Sequence, residues 1–330
     1  MRVLSRRLPA LAAAKAFAGT VLAGAVLATA CAACGSSQSA TASPASSADG
    51  AATSSFPATV TAANGTVRLS SRPRAIISLS PTATEMLYAI GAGSQVKAVD
   101  NNSDYPPQAP RTKLTAFAAN VEAIVAYKPD LVVVSGDSAK LIKQLAAFKI
   151  PVLELPAAAK LSDVHTQFDE LGRATGHVAQ AAQEDATLRR QLAQITAAEP
   201  HHSAPITYYY ELDQTYYSVT SATFVGQLLD LLGMKSIADQ ATGAAAAGGY
   251  PQLSAEYIVK ANPDYVILAD TICCHQSGAT VAKRPGWSAL TAVKAGHVIA
   301  LNDDIASRWG PRIPDLLHTV ETAITKGSST

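Results

Sequence analysis

The chain has 330 residues, which is too long for one average domain and suits about two. Apolar residues make up 48% of it and charged residues 15%, so large cores are expected and an intrinsically disordered chain is excluded. The net charge of +1 includes four basic side chains in residues 1–30, and without them 22 basic and 25 acidic residues leave a net charge of −3. This balance argues against a nucleic-acid partner.

The first 30 residues have the pattern of a secretory signal peptide. Three arginines among the first seven residues precede a run of low polarity, which ends in small residues before Cys31. A membrane-spanning anchor is the alternative, but the uninterrupted apolar stretch, residues 16–30, is shorter than the roughly 20 residues that a span needs. The sequence therefore predicts export from the cytoplasm.

Two cysteines follow this apolar run. Residues 27–31, Leu-Ala-Thr-Ala-Cys, resemble the lipobox of bacterial lipoproteins, in which the cysteine is lipidated. Cys34, followed by Gly-Ser-Ser, is a second candidate, and we favour Cys31 for its apolar residue three positions earlier. Residues 35–55 are almost entirely Ser, Ala, Thr and Gly, which is typical of a flexible tether. We expect an extracytoplasmic lipoprotein anchored to the cell membrane.

The other two cysteines, Cys273 and Cys274, are adjacent. Neighbouring Cα atoms lie about 3.8 Å apart, below the usual range of about 4.4–6.8 Å in disulfides, so two buried thiols and a vicinal disulfide both remain open. Four cysteines are few for a secreted chain of this length, and a large core must hold the fold together.

An internal repeat links the two halves of the chain. Residues 120–132 align with residues 254–266 without a gap, at a constant offset of 134 positions. Each copy predicts a short helix, a turn at Pro-Asp and a buried strand, because Pro ends a helix and a continuous apolar run suits a parallel strand covered on both faces. We interpret the repeat as two similar lobes, with chance similarity between helix-turn-strand units as the alternative.

Further strand and helix units flank each copy of the repeat. In the first half, residues 75–79 predict a strand, and the helix that follows ends at Gly91. In the second half, residues 206–210 predict a strand, and a helix starting near Phe224 ends before Gly233. Strands that alternate with helices predict parallel sheets with right-handed crossovers.

One long helix is predicted between the halves, from about residue 177 to 199, bounded by Gly176 and Pro200. At 1.5 Å per residue it spans about 35 Å, and a single continuous helix between the lobes would keep their relative motion small. We predict an α/β fold of two Rossmann-like lobes with parallel sheets, bridged by one long α-helix. The predicted organisation is a signal peptide (1–30), a lipid-anchored tether (31–55), an N-terminal lobe (56–160), connecting helices (161–200) and a C-terminal lobe (201–330).

Three segments resemble the vitamin B12 and ferric siderophore binding proteins of ABC importers. They are residues 76–91 (IISLSPTATEMLYAIG), residues 103–109 (SDYPPQA), and the Asn-Val-Glu of residues 120–122 with its following Lys-Pro-Asp. The resemblance covers about residues 73–322. It implies the two-lobed fold with a long bridging helix, and a ligand held between the lobes.

The resemblance also implies a docking role for one glutamate on each lobe. In this family these glutamates bind arginines of the two permease subunits, and the matching positions are Glu122 and Glu256. A two-fold permease that presents the same basic pocket twice requires one carboxylate per lobe. For either glutamate alone, an exposed residue that complements the helix dipole is the alternative.

A ligand cleft is predicted where the strands end, because ligands of open α/β sheets lie beyond the carboxyl ends of the strands. The loops there are residues 80–84, 100–105, 116–120, 135–138, 212–217, 270–277 and 302–309. Aromatic faces and rim hydrogen bonds would hold a flat macrocycle, whereas several arginines would hold an anionic iron chelate. The predicted ligand-binding residues are Thr82, Asn102, Tyr105, Phe117, Tyr250, Trp287, Asp304, Arg308 and Trp309.

Several of these residues have structural alternatives. Arg308 could instead pair with Asp303 or Asp304, and Arg312 is a further possible cleft arginine. Burial in the core is the alternative for four aromatic residues, Tyr105, Phe117, Tyr250 and Trp287. His275 could ligate a metal axially, but a single histidine in a loop is usually solvated.

The predicted function is capture of a corrinoid or ferric siderophore type ligand and its delivery to an ABC permease dimer, by a monomer without enzymatic activity, resident metal or cofactor. The alternatives are a zinc or manganese receptor and a lipid-anchored hydrolase. The seven histidines are scattered, and Gly-x-Ser-x-Gly and His-Glu-x-x-His are both absent from the sequence.

Overall fold

The computed structural model describes residues 55–198 and 204–327. Cys31, Cys34, the signal peptide and nearly all of the tether therefore lie outside the described residues. The described chain begins with an antiparallel hairpin of two strands, β1 (Ala58–Ala62) and β2 (Gly65–Leu69). Within both described ranges, no helix is long and apolar enough to cross a membrane.

The first lobe contains a parallel sheet of four strands with the order β4-β3-β5-β6. Its strands are β3 (Ile76–Leu79), β4 (Val96–Val99), β5 (Leu131–Val134) and β6 (Val152–Glu154). The predicted strand over residues 75–79 and the predicted strand of the first repeat copy are the two central strands.

The second lobe contains a parallel sheet with the order β8-β7-β9-β10. Its strands are β7 (Ile206–Glu211), β8 (Met234–Ser236), β9 (Tyr265–Leu268) and β10 (Val298–Ala300). Each strand occupies the same place as its counterpart in the first sheet, so the interpretation of the repeat as two similar lobes is confirmed.

The aspartate that follows proline in each repeat copy makes equivalent hydrogen bonds in both lobes. Asp130 accepts hydrogen bonds from the backbone N–H groups of Arg74 and Ala75, at 2.7 and 2.9 Å. Asp264 accepts one from the backbone N–H of Thr207 at 2.8 Å. Each carboxylate thus fixes the start of the neighbouring central strand.

The helices of the first lobe are α1 (Pro81–Ala89), α2 (Val121–Val125) and α3 (Leu141–Ala147). Helix α1 begins at Pro81, because the Ser80 hydroxyl accepts a hydrogen bond from the Ala83 N–H and Pro81 is favoured in the first turn. The second lobe contains α6 (Phe224–Asp230), α7 (Ala255–Ala261), α8 (Gly278–Ala282), α9 (Thr291–Lys294), α10 (Asp303–Ala306) and α11 (Ile313–Gly327).

Two consecutive helices connect the lobes, α4 (Leu161–Thr175) and α5 (Val178–Ala198). Gly176 ends α4 with a φ of +78°, a left-handed conformation that favours glycine. Helix α5 has 21 residues, about 32 Å at 1.5 Å per residue, and packs against α4 and α11. The predicted long bridging helix is therefore confirmed.

The core is organised by the two faces of each sheet. In β5, Leu131 and Val133 belong to a large cluster shared with the bridging helices and the second lobe, whereas Val132 and Val134 belong to a separate cluster on the outer face. In the second lobe, Tyr209 packs in the equivalent outer cluster. Both sheet faces are covered, which explains the continuous apolar runs. The residue boundaries predicted for the domains stay predictions.

Candidate functional site

Three adjoining cavities follow the carboxyl ends of the strands, and together they form what we call the interlobe cleft. The side pocket, of about 330 Å³, is lined by residues of the first lobe alone. The central pocket, of about 300 Å³, is lined by both lobes, and a third pocket, of about 210 Å³, lies mainly on the second lobe. Shared lining residues connect the pockets, including Asn102 between the first two and Trp309 between the last two.

Most of the predicted ligand-binding residues lie on this cleft. Those lining the central pocket are Thr82, Asn102, Asp304, Arg308 and Trp309. Phe117 lines the side pocket with 82% of its surface exposed, and Tyr250 lines the third pocket. Tyr105 is 43% exposed, and the Arg312 guanidinium lies 4.3 Å from the centre of its ring. Their contacts with a ligand stay predictions.

The prediction that Trp287 binds ligand is wrong. This side chain has no exposed surface, and it packs in the outer core of the second lobe between Tyr209 and Tyr216. The Arg284 guanidinium covers the indole at 4.7 Å. Trp287 follows a turn on the outer face of the sheet, and sequence periodicity does not distinguish that face from the cleft.

Arg308 connects the two lobes at the central pocket. Its guanidinium donates to Glu85 of α1 at 2.7 Å, to Asp104 at 2.9 Å and to Asp304 at 2.6 Å. The side chain is only 7% exposed. The predicted alternative of an ion pair with Asp304 is confirmed. Because Arg308 also donates to Glu85 and Asp104 of the first lobe, it connects the two lobes at the wall of the cleft.

Glu85 is the buried centre of this network and was not identified from the sequence. Its side chain is 0% exposed, and besides Arg308 it accepts two hydrogen bonds from Arg312, at 2.9 and 2.5 Å. Burying a carboxylate requires partners of this kind, because an unpaired charge inside a protein is strongly unfavourable. The only indication of this role in the sequence is that a glutamate interrupts the apolar pattern of the helix at residues 81–89.

Asp100 is a second buried polar group at the cleft, and no pattern in the sequence indicates its role. It follows β4, lines the side pocket and is 1% exposed. The Ser103 hydroxyl donates to its Oδ1 atom, and the Thr84 hydroxyl donates to Ser103 at 3.0 Å. Burial raises the pKa of Asp100, and the hydrogen bonds from Ser103 offset part of that rise.

A second buried charge cluster lies at the carboxyl ends of β7 and β9. Arg284 donates two hydrogen bonds to Glu211, at 2.5 and 2.6 Å, and a third to Gln276 at 2.7 Å. Asp270 is fully buried beside this pair. Burial, followed by the neighbouring Glu211 carboxylate, raises the pKa of Asp270 to about 7.

The raised pKa of Asp270 predicts a pH-dependent stability. Because the folded protein keeps the proton up to about pH 7, whereas the unfolded chain loses it near pH 4, stability falls as the pH rises through this window. Asp270→Asn, which faces the same Glu211, Arg284 and Tyr209, should lose less stability than the wild type between pH 5 and pH 8. Urea unfolding of both proteins at pH 5 and pH 8 measures this difference. If the stability of the wild type and of Asp270→Asn changes equally with pH, the raised pKa of Asp270 is wrong.

The loop that follows β9 carries the adjacent cysteines, which the structure joins in a vicinal disulfide. Asp303 accepts hydrogen bonds from the backbone N–H groups of Ile272 and Cys273, at 2.9 and 2.7 Å, and so fixes this loop against α10. His275 is exposed and has a φ of +55°. In residues 55–198 and 204–327, no three His, Cys, Asp or Glu side chains are placed to hold a metal ion.

The two predicted docking glutamates occupy equivalent positions on the lobes. Glu122 is in the first turn of α2, which Asn120 caps, and Glu256 is in the first turn of α7, which Ser254 caps. Both side chains are exposed. The Glu256 backbone N–H and the Ser254 hydroxyl lower the pKa of Glu256, so this carboxylate is charged at neutral pH.

Comparisons with known proteins agree with this architecture. An ABC transporter substrate-binding lipoprotein of Bacillus subtilis is 32% identical over 268 residues, 78% of this chain and 82% of that protein. A vitamin B12-binding protein of Pectobacterium atrosepticum is 32% identical over 250 residues, 73% of this chain and 85% of that protein.

A solved structure shows the same fold. The periplasmic vitamin B12 binding protein of Vibrio cholerae superimposes with a TM-score of 0.63 at 25% identity, covering 78% of this chain and 98% of that one. The sequence model of the periplasmic binding protein family matches residues 76–305. The chain therefore belongs to the periplasmic binding protein family, whose members are solute-binding proteins.

Proposed function

We propose that this protein is an extracytoplasmic receptor that holds a corrinoid in the interlobe cleft and delivers it unchanged to an ABC permease. The observation that carries the proposal is the central pocket, which is lined by side chains of both lobes at the carboxyl ends of their strands. A cleft of this kind encloses a solute between two rigid bodies. The similar proteins named vitamin B12-binding support the ligand class.

The charges of the cleft favour a corrinoid over an anionic iron chelate. Two arginines line the central pocket: Arg308 already pairs with three carboxylates, and Arg111 pairs with Asp104 at 3.6 Å. Asp100, Asp104 and Asp304 also line the cleft. Carboxylates repel an anionic ligand, whereas Trp309, Phe117 and Tyr250 offer aromatic faces to a flat macrocycle. A ferric siderophore is the alternative ligand of the same receptor.

Titration of the purified protein tests this proposal. Cyanocobalamin, haem, a ferric hydroxamate siderophore and zinc are added separately while intrinsic tryptophan fluorescence is followed. We expect saturable quenching by cyanocobalamin. Tight zinc binding without a response to any of the three larger ligands would contradict the proposal.

The two tryptophans should differ in their response to ligand. Trp309 lines the central pocket and donates from Nε1 to Gln167 at 3.1 Å, whereas Trp287 is fully buried in the outer core. We therefore expect Trp309→Phe to lose most of the quenching. It should bind cyanocobalamin about tenfold more weakly, because the phenyl ring offers a smaller aromatic face and cannot donate to Gln167.

Trp287→Phe is the matched control for this experiment. It removes the same chromophore from a position outside the cleft, and it should retain the quenching and the affinity of the wild type. If Trp287→Phe removes the response and Trp309→Phe does not, the placement of the ligand in the central pocket is wrong.

We also propose that the receptor is attached to the outer face of the cell membrane through a lipidated cysteine, Cys31 or Cys34. The lipobox-like sequence before Cys31 and the tether composition of residues 35–55 support this attachment. Intact-mass measurement of the membrane fraction tests it. Cys31→Ala should abolish the lipid mass if Cys31 is the site, and Cys34→Ala should do so if Cys34 is.

A further inference from the structure

The side pocket differs from the central pocket in its lining, which comes from the first lobe alone. Its volume of about 330 Å³ is at the lower end of the range for ligand pockets, so a short arm of a larger ligand fits into it. Its apolar wall includes Leu79, Phe117, Val134 and Leu141. This pocket opens beside the central pocket, with which it shares Asn102.

One carboxylate oxygen of Asp100, which lines this pocket, lacks a partner. Asp100 Oδ1 accepts from the Ser103 hydroxyl, whereas Oδ2 is buried and has no hydrogen-bond partner among the described residues. Burial of an acceptor without a donor is unfavourable, so a bound group that supplies an N–H at this oxygen gains the full value of the bond.

The carboxylate is also held in a fixed orientation. The Asp100 N–H donates to the Ser78 carbonyl at 3.1 Å, and the Thr84 hydroxyl lies within hydrogen-bond distance of both Ser78 and Ser103. Ser78 belongs to β3 and Thr84 to α1, so these bonds connect the Asp100 loop to two regular elements of the first lobe. Asp100 is therefore preorganised toward a ligand rather than adaptable.

We propose that the side pocket binds an arm of the ligand that ends in a primary carboxamide, and that Asp100 selects this arm. The proposal deepens the function proposed above and rests on it. The amide NH₂ donates to Asp100 Oδ2, and Asn102 and Ser135 on the same pocket offer donors for the amide carbonyl. An arm that ends in a carboxylate places a second negative charge beside Asp100 and is rejected.

The test uses cyanocobalamin and its three monocarboxylates, in which one propionamide arm has been hydrolysed to the acid. The wild type should bind at least one monocarboxylate about tenfold more weakly than cyanocobalamin. Asp100→Asn should bind cyanocobalamin about tenfold more weakly than the wild type and should no longer discriminate against that monocarboxylate. Equilibrium fluorescence titration measures all four ligands.

A matched control lies outside the cleft. Asp169 of α4 is 52% exposed and lines none of the three pockets. Asp169→Asn should keep both the affinity and the discrimination of the wild type. The melting temperature of ligand-free Asp100→Asn should be equal to or above that of the wild type, because asparagine keeps an acceptor for the Ser103 hydroxyl and buries no charge.

Each failure has a distinct cause. Tight cyanocobalamin binding by the wild type with unchanged discrimination in Asp100→Asn overturns the subsite and leaves the receptor function intact. Equal weakening of all four ligands by Asp100→Asn also overturns the subsite, since it indicates a structural effect. If the wild type binds no corrinoid, the proposed ligand fails and the subsite fails with it.

Discussion

Replacement of Glu85 by alanine should lower the free energy of unfolding by about 3–5 kcal/mol, the range observed when one partner of a buried ion pair is removed. The Glu85 carboxylate is 0% exposed and neutralises Arg308 and Arg312, whose side chains are 7% and 15% exposed. Its removal takes one carboxylate partner away from each of two buried guanidinium groups at the contact between the lobes. Urea unfolding at pH 7, followed by circular dichroism, measures the loss.

The helix α4 supplies a control for this prediction. Asp169 pairs with Arg173 at 2.8 Å, but both side chains are more than half exposed, at 52% and 59%. Solvent screens such a pair, so Asp169→Ala should change the stability by less than about 1 kcal/mol. Equal effects of Glu85→Ala and Asp169→Ala would mean that the interlobe network does not stabilise the fold.

The double variant Glu122→Ala/Glu256→Ala should bind ligand with wild-type affinity and should reduce uptake more than tenfold. Both carboxylates are exposed in the first turn of equivalent helices, and neither lines the interlobe cleft. Neutralising them removes one charge from each lobe where two permease subunits would bind, and charge complementarity of this kind fixes the register of a complex. Uptake of radiolabelled cyanocobalamin by cells that contain the permease measures the effect.

A double control variant, Asp169→Ala/Asp315→Ala, changes the net charge by the same amount. Asp169 is an exposed residue of α4, and Asp315 is exposed in the first turn of α11, so its carboxylate has the same relation to a helix as the docking glutamates. Uptake should persist in this control. Survival of uptake in Glu122→Ala/Glu256→Ala would refute the docking role.

The candidate site was less predictable than the fold. Trp287 and Trp309 are the same residue type in loops of the same lobe, yet one is buried in the outer core and the other lines the cleft. Local pattern does not tell on which side of a sheet a loop residue lies. The sequence also left undecided whether Cys273 and Cys274 form a disulfide, because the Cα atoms of neighbouring residues have the same spacing whether the thiols are joined or free.

The elements and the repeat were determined by the sequence itself, because their causes act within a few residues. Continuous apolar runs predict buried parallel strands, and Ser80 and Gly176 mark where α1 begins and where α4 ends. The interlobe network was decided only by the tertiary structure. Glu85 and Arg308 are separated by 223 positions, and the buried pairing that gives them their roles exists only after both lobes pack against the bridging helices.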